Sequence, residues 1–392
     1  MQQKKLLGTK KGGGIKSKMK VLYIGHYKEG SGWSEAAINY ILSATKSNID
    51  IVCRNIKLNN NPPAKIDPII SELENKDLNN IDYCIQHVLP HHLVSTNKFK
   101  KNIAYFAGES NTLKYNIWID YLNKMDFIWV PNSTLKTNLI SDGLSENRVR
   151  VIPHAFDLSK YQYKNSNINF GPNNYKFKFY YIGEWNDRKN LESIIRCFHS
   201  EFANYEPVSL VLKVKKPGIN SNDVSKHIEN MCSQIKSEMR IYPNINDYHS
   251  EIIISDNMTN DQIHALHNAC DCFIGPSHGE GWSIPAFEAM CYGKTPICSN
   301  EGGTKEFIDQ NNKDTGYLID GTYSICNHSD SAFPHIFTGK EEWFQPSESE
   351  VKKAMRYYYE NRNNIDRLAG IKNAERFSYE NIGKVIKDNL ND

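Results

Sequence analysis

Two α/β halves in series, each a parallel sheet wound with helices, are what this sequence predicts. Three observations carry the reading. The 392 residues exceed the usual size of one hydrophobic core. Short apolar runs alternate with helically spaced segments. The alternation restarts after a polar, Asn-rich interruption. From Met19 the chain reads KVLYIG, a glycine-containing loop HYKEGSG, then WSEAAINYILSAT with helical spacing, which opens a βαβ unit. The runs DIVCR, DYCIQHV, KNIAYFAG and DFIWVPN supply further strands, and VRVIPHAFD closes the half. Ser159–Tyr175 reads as the linker. KFKFYYIGEW then begins a second sheet, continued by VSLVLKVK, EIIISD, CDCFIGPS and TPICSN, with helices at NLESIIRCFHSEF, DQIHALHNA and PAFEAMCYG. The domain bounds expected are 19–165 and 175–365, with a terminal helix over 366–392 packing back toward the first half. Residues 321–347 fit no element.

Composition excludes several classes. The 47 Lys+Arg against 45 Asp+Glu leave a net charge of +2, so no overall field draws the chain to nucleic acid. Residues 1–18 set Lys4, Lys5, Lys10, Lys11, Lys16 and Lys18 among glycines, a disordered basic tail that is either a solvated arm or a weak contact with an anionic membrane surface. Leu6-Leu7 is too short for the apolar core of a secretory leader, and no later run reaches the length of a membrane span. Nine cysteines, odd in number and without a C-x-x-C pair, read as reduced and buried. A cytoplasmic protein, at most peripheral to a membrane, is expected.

In open α/β sheets ligands bind beyond the carboxyl ends of strands. The loop with most to say is GPSHGEGWSIPAFEAMCYG, residues 275–293. Pro285 suits the first turn of a helix. Gly279 and Gly281 would let a ligand approach the backbone, and the amides of Trp282, Ser283 and Ile284 at the helix start favour an anion such as a diphosphate. Glu280 in the turn could hold a sugar, and Glu288 one turn into the helix could accept from ribose hydroxyls. Either carboxylate alone would more simply cap the helix.

This wording resembles glycosyltransferase family 4, whose signature is PS-x-x-E-G-x-G-x-P-x-x-E-A-x-x-x-G. Ser283 replaces the second glycine. The resemblance implies the GT-B architecture: two Rossmann-like domains facing across a cleft, with C-terminal helices crossing back. It puts Glu280 on the donor sugar and Glu288 on the ribose. In IGEWNDRKN, Lys189 matches the family's phosphate-binding lysine. Glu184 stands where its arginine is usual, and Arg188 is the substitute guanidinium, the alternative being a basic turn that caps the next helix. SNEGGTKEF resembles the family's G-G-x-x-E turn, with Gly302 and Gly303 as a second backbone wall and Glu306 as a brace. Ile254 and Ser255 take the place of base-pocket residues. Gly30 and Gly32 resemble the loop that reaches the phosphates from the first domain. Glu109, after AYFAG, either faces the reaction centre or pairs with a cation at the domain face. His154 and Asp157 order the hinge.

The resemblance further implies a retaining, metal-independent hexosyl transfer from a UDP-sugar, or else a GDP-sugar, to a saccharide, lipid-linked or other hydroxyl acceptor. The nucleotide-sugar is a substrate, and no cofactor is implied. No D-x-D at a strand end and no His/Cys group with zinc spacing speaks for a metal. A catalytically silent binding subunit, an epimerase and a phosphorylase on the same fold stay open.

Overall fold

The computed structural model describes residues 19–57, 66–161, 168–326 and 338–392. The basic tail lies outside them. The first domain is a parallel sheet of β1 (Lys20–Gly25), β2 (Asp50–Asn55), β3 (Tyr83–His87), β4 (Lys101–Tyr105), β5 (Phe127–Val130) and β6 (Val149–Val151), in spatial order β2-β1-β3-β4-β5-β6. Its helices are α1 (Gly32–Lys46), α2 (Pro68–Glu74), α3 (Trp118–Leu122) and α4 (Ser133–Ser141). The second sheet contains β7 (Phe177–Glu184), β8 (Val208–Lys215), β9 (Ile252–Ile254), β10 (Cys272–Gly275), β11 (Ile297–Ser299) and β12 (Tyr317–Ile319), ordered β12-β11-β10-β7-β8-β9. Around it lie α5 (Leu191–Glu201), α6 (Ser221–Met239), α7 (Asn260–Ala269), α8 (Ile284–Cys291) and α9 (Thr304–Phe307).

Strand β8 shows why the second sheet forms where it does. VSLVLKVK is buried from Val208 to Val214, as a central parallel strand covered on both faces must be. The strand order then decides the site. The second sheet winds outward from β7 through β8 to β9, and the chain returns to place β10 on the other side of β7. The loops after β7 and β10 therefore diverge at a switch point, which opens a crevice at their carboxyl ends. The first sheet does the same between β1 and β3, beneath the loop that carries Gly30 and Gly32.

Three helices complete the chain: α10 (Glu348–Glu360), α11 (Arg367–Ala374) and α12 (Tyr379–Asn391). The span 366–392, expected as one terminal helix, is thus two. The last returns to the first domain. Ser43 Oγ donates to the Tyr379 carbonyl at 2.7 Å, Tyr379 OH to Asn39 Oδ1 at 2.5 Å, and Arg150 Nη1 to the Asn389 carbonyl at 2.9 Å. Gly383 permits this approach, since a Cβ there would strike the Ser43 carbonyl. One buried cluster runs without a break through Tyr23 and Phe156 of the first domain, Trp282 and Phe287 of the second, and Phe377 and Ile386 of the tail.

Residues 321–347 contradict the expectation of no regular element. β13 (Gly321–Ile325) and β14 (Glu342–Pro346) pair antiparallel. GTYSI has no apolar alternation because most of its residues are exposed, and its partner is too distant in sequence for a tight-turn signal. Residues 327–337, between the two strands, lie outside the described region.

Candidate active site

The loops after β7 and β10 bring the strongest charges of the cleft together. After β7, Asn186 accepts from the Lys189 amide at 3.1 Å and closes a single 3-10 turn over Asp187–Lys189. Asn190, left-handed at φ 54°, sends its side-chain amide to the Pro276 carbonyl at 2.9 Å. This ties the turn to the β10 loop, and the His278 amide donates to the Arg188 carbonyl at 2.8 Å. Lys189 Nζ then stands 2.7 Å from Glu280 Oε1. Arg188 bridges three groups: Glu280 Oε2 at 3.4 Å, Glu109 Oε1 at 3.2 Å and the Gly279 carbonyl at 2.6 Å. All four residues expected to act in the chemistry thus meet in one cluster. Glu109 pairs with a cation, Arg188, and lines the same small pocket as Glu280, Asn132, Thr134 and Gly302.

Burial pushes the Glu280 carboxyl up, but Lys189 and then Arg188 outweigh it and hold it below the usual carboxylate range. Burial likewise opposes the charge of Arg188, and Glu109 and Glu280 more than restore it. Glu280 and Arg188 are thus buried charges that hold each other in the ionised form, while Glu109 keeps 39% of its side chain exposed. Glu184 is elsewhere, 3.7 Å from Lys215.

Helix α8 starts at Ile284 with no side-chain cap and with Pro285, which has no amide N–H to satisfy, in its first turn, a helix start of the kind that suits an anion. Ser283, just before it, has φ 72° and ψ 70°. This left-handed conformation is why a glycine suits the position, and serine holds it at a cost of about 1–2 kcal/mol. Ser283→Gly should raise stability by up to about 1 kcal/mol after the greater chain entropy of glycine is subtracted. A lower melting temperature would mean that the serine side chain is itself needed.

The glycines of this loop also make room for neighbouring backbone, while Gly279 and Gly302 line the pocket beside Glu280. A Cβ on Gly279 would strike the Glu109 carbonyl, and one on Gly281 would come within 2.8 Å of Ala107 Cβ, so both admit the first domain. Gly302 and Gly303 fit against the backbone of Glu280 and Trp282 in the same way. Asn132, the cap of α4, donates to the Gly281 carbonyl at 2.9 Å, and Glu306 accepts from the Ser133 amide at 2.6 Å, bracing the domains. The β13–β14 hairpin adds a strap. The Glu342 amide donates to Asn111 Oδ1 at 2.9 Å, the Phe344 amide to the His278 carbonyl at 2.9 Å, and the Trp343 ring stacks on His278 at 4.3 Å.

Trp282 is buried and stacks on His154 at 5.2 Å and 8°. His154, at the hinge as expected, is kept neutral by burial, which pulls its pKa down to about 3. Gly32 opens α1 directly across from Ile284, whose Cδ1 would lie 3.7 Å from an added Cβ, and Gly30 sits in the same loop at φ 69°. Ile254 ends the edge strand β9 and Ser255 follows it, two strands and thus about 10 Å from β7. Ile254 is half-buried against the shared core.

Glu288 forms a second pole. Its carboxylate accepts from Tyr161 OH at 3.4 Å and lies 3.4 Å from His267 and 3.9 Å from His264. Burial raises its pKa to about 7, against the pull of His264, Tyr161 and Lys160. Glu35, in the first turn of α1, is raised to about 7 by burial and then by the charge of Glu288. Glu35 escaped the sequence reading although it stands inside GSGWSEAA. Its one signal was an acid immediately after the glycine loop. A carboxyl with a raised folded pKa stabilises fully below its unfolded value near 4.5 and loses that contribution as pH rises through about 7. Melting temperature should therefore decline from pH 5 to 7.5, and Glu35→Gln should flatten the decline. An unchanged slope would remove the pair as its cause.

Comparisons with known proteins bear on the family and the fold. Residues 246–328, which include Glu280 and Glu288, match the family model of glycosyl transferases group 1. Over 124 residues the chain is 27% identical to the serotype-specific mannosyltransferase WbdA of Escherichia coli, covering 31% of this chain and 13% of that protein. It is 22% identical to a glycogen synthase of Thermodesulfovibrio yellowstonii, over 46% of this chain and 36% of the other. It is 23% identical to the GDP-mannose:cellobiosyl-diphosphopolyprenol alpha-mannosyltransferase of Xanthomonas oryzae, over 42% and 37%. The matches thus span well under half of these relatives' lengths. Among solved structures, Anabaena HepE in complex with UDP-glucose superposes with a TM-score of 0.63 at 13% identity, over 95% of this chain and 99% of its own. The sucrose-phosphate synthase of Thermosynechococcus elongatus superposes with a TM-score of 0.65 at 12% identity, over 95% and 98%. The fold of this chain is GT-B, and its second domain carries the sequence signature of glycosyl transferases group 1.

Proposed function

We propose that the protein is a retaining glycosyltransferase of the family 4 type, moving a sugar from a UDP-sugar, or else a GDP-sugar, to a saccharide, lipid-linked or other hydroxyl acceptor. The observation that carries this reading is the Glu280 carboxylate clamped by Lys189 and Arg188 beside the uncapped start of α8, at the switch point of the second sheet. Two cations beside an uncapped helix start suit a diphosphate. Its arrival would draw Lys189 and Arg188 from Glu280, and the released carboxylate would then accept from hydroxyls of the donor sugar. Glu288 and Tyr161, farther along the cleft, would hold the ribose.

In the reaction the anomeric carbon–phosphate oxygen bond breaks, and Lys189, Arg188 and the α8 amides take up the charge that grows on the leaving oxygen. The acceptor oxygen bonds to the anomeric carbon from the same face, and its proton passes to the departing phosphate oxygen, so configuration is kept. The scheme uses no metal. The contacts that draw the two domains together would exclude water from the stretched bond. Nine buried cysteine thiols suit a reducing compartment, in keeping with a cytoplasmic enzyme. Among the described residues no helix is long and apolar enough to cross a membrane.

Thermal stabilisation by UDP-, GDP- and ADP-sugars, repeated with Glu288→Ala, tests the reading, because a ligand raises stability only if the folded cleft binds it. A shift for one donor, weakened in the variant, supports the assignment and names the nucleotide. No shift at millimolar donor sinks it. Donor binding without transfer to any acceptor points to a silent subunit. Donor conversion without acceptor points to an epimerase, and sugar phosphate formed from orthophosphate to a phosphorylase.

A further inference from the structure

A groove of about 650 Å³ runs between the domains, lined by residues of α4, of the segment after β11 and of α11. It shares Thr134, Asn138 and Glu301 with the small pocket that holds Glu109 and Glu280, so the two spaces are neighbours across these side chains. Its volume falls inside the range of about 300–1,000 Å³ typical of sites that enclose a small molecule. One wall is α4, through Thr137 and Asn138, and the other is the segment after β11, through Asn300, Gln310 and Asn311.

The lining chemistry is specific. Half of it is hydroxyl and carboxamide side chains, which both donate and accept, the pattern that matches sugar hydroxyls. Tyr323 of the hairpin also lines the groove with 47% of its surface exposed, a ring available to the apolar face of a pyranose. Glu301, Glu306 and Asp309 stand against Lys305 and Arg376, a balance that does not favour a polyanion. The aliphatic lining is confined to Ile308 and Leu318, too little for a lipid chain.

We infer that this groove is the acceptor subsite and that its occupant is a neutral saccharide, whose terminal hydroxyl reaches the Glu280 pocket past Thr134 and Asn138. The inference rests on the transferase reading proposed above. Thr137 and Tyr323 line the groove but not the Glu280 pocket, so they set acceptor affinity and leave the donor alone.

The test uses the full-length protein saturated with the donor identified by thermal shift. Neutral di- and trisaccharides, among them maltose, cellobiose and mannobiose, are screened by saturation-transfer NMR and as acceptors, beside a long-chain prenyl phosphate. Wild type is compared with Thr137→Trp, which fills the groove from an exposed helix position, and with Tyr323→Ala. The expected result is binding and transfer for at least one saccharide, with affinity or acceptor KM worsened about tenfold or more in both variants, the loss of one good contact. The donor-induced thermal shift stays at the wild-type value. The proposal is overturned if no saccharide binds the donor-loaded protein, if only the prenyl phosphate does, or if saccharide affinity survives both substitutions. Failure of the wild type to bind any donor strikes instead at the transferase reading.

Discussion

Glu280→Gln should lower transfer by about 10²–10³-fold while leaving nucleotide binding intact. The substitution keeps the shape and removes the charge that holds Lys189 at 2.7 Å and Arg188 at 3.4 Å. Both cations are largely buried, so the free protein should lose about 3 kcal/mol, the low end for breaking a buried pair, because the amide oxygen still accepts from Lys189. A bound diphosphate supplies the missing negative charge. UDP or GDP should therefore raise the melting temperature of the variant by more than that of the wild type. This opposition of effects separates exchange of the cations between Glu280 and diphosphate from a merely structural ion pair. Full activity in the variant, or a smaller nucleotide shift than in wild type, would count against it. Acid should mimic the variant. The depressed pKa of Glu280 means that its stabilisation is present above the ordinary range near 4.5 and is lost as pH falls through its lower folded value.

Trp282→Ala should cost about 3–5 kcal/mol, the range for deleting a buried aromatic side chain. The ring is 2% exposed, and its neighbours come from four parts of the chain: His154 and Phe156 at the hinge, Phe287 on α8, Phe307 on α9 and Phe377 in the tail. Its loss opens a cavity where both domains and the tail meet, so it weakens their association as well as the core. Urea unfolding should show a lower midpoint and a separate first transition for parting of the domains. Trp282→Phe, which keeps most of the stacking, should cost less than half as much. A loss below about 1 kcal/mol for the alanine variant would show that the interface collapses around the gap.

The site was legible in the sequence wherever a local rule applied. Glu280, Glu288 and Lys189 stand at fixed spacings after apolar runs, and Ser283 announced itself as a departure from a glycine position before its left-handed backbone gave the reason. A second use of the glycines was not legible. Gly279 and Gly281 make room for the first domain, and a sequence carries no mark of which surface a glycine will face. Glu35 was overlooked because its significance comes from Glu288, 253 positions away, and no periodicity links residues on two different domains.

What the sequence determined by itself is the pair of wound sheets and the chemistry at their strand ends, because hydrophobic alternation and helix-start signals act within a few residues. What only the tertiary structure decided is how the two faces meet. Arg188 could have capped its own helix, and the folded chain turns it to Glu109 and Glu280. The span 321–347, unreadable as a segment, becomes the hairpin that joins Asn111 of one domain to His278 of the other. These outcomes depend on charge pairing, ring stacking and backbone contact between residues far apart in the chain, and such terms exist only once the domains have closed on each other.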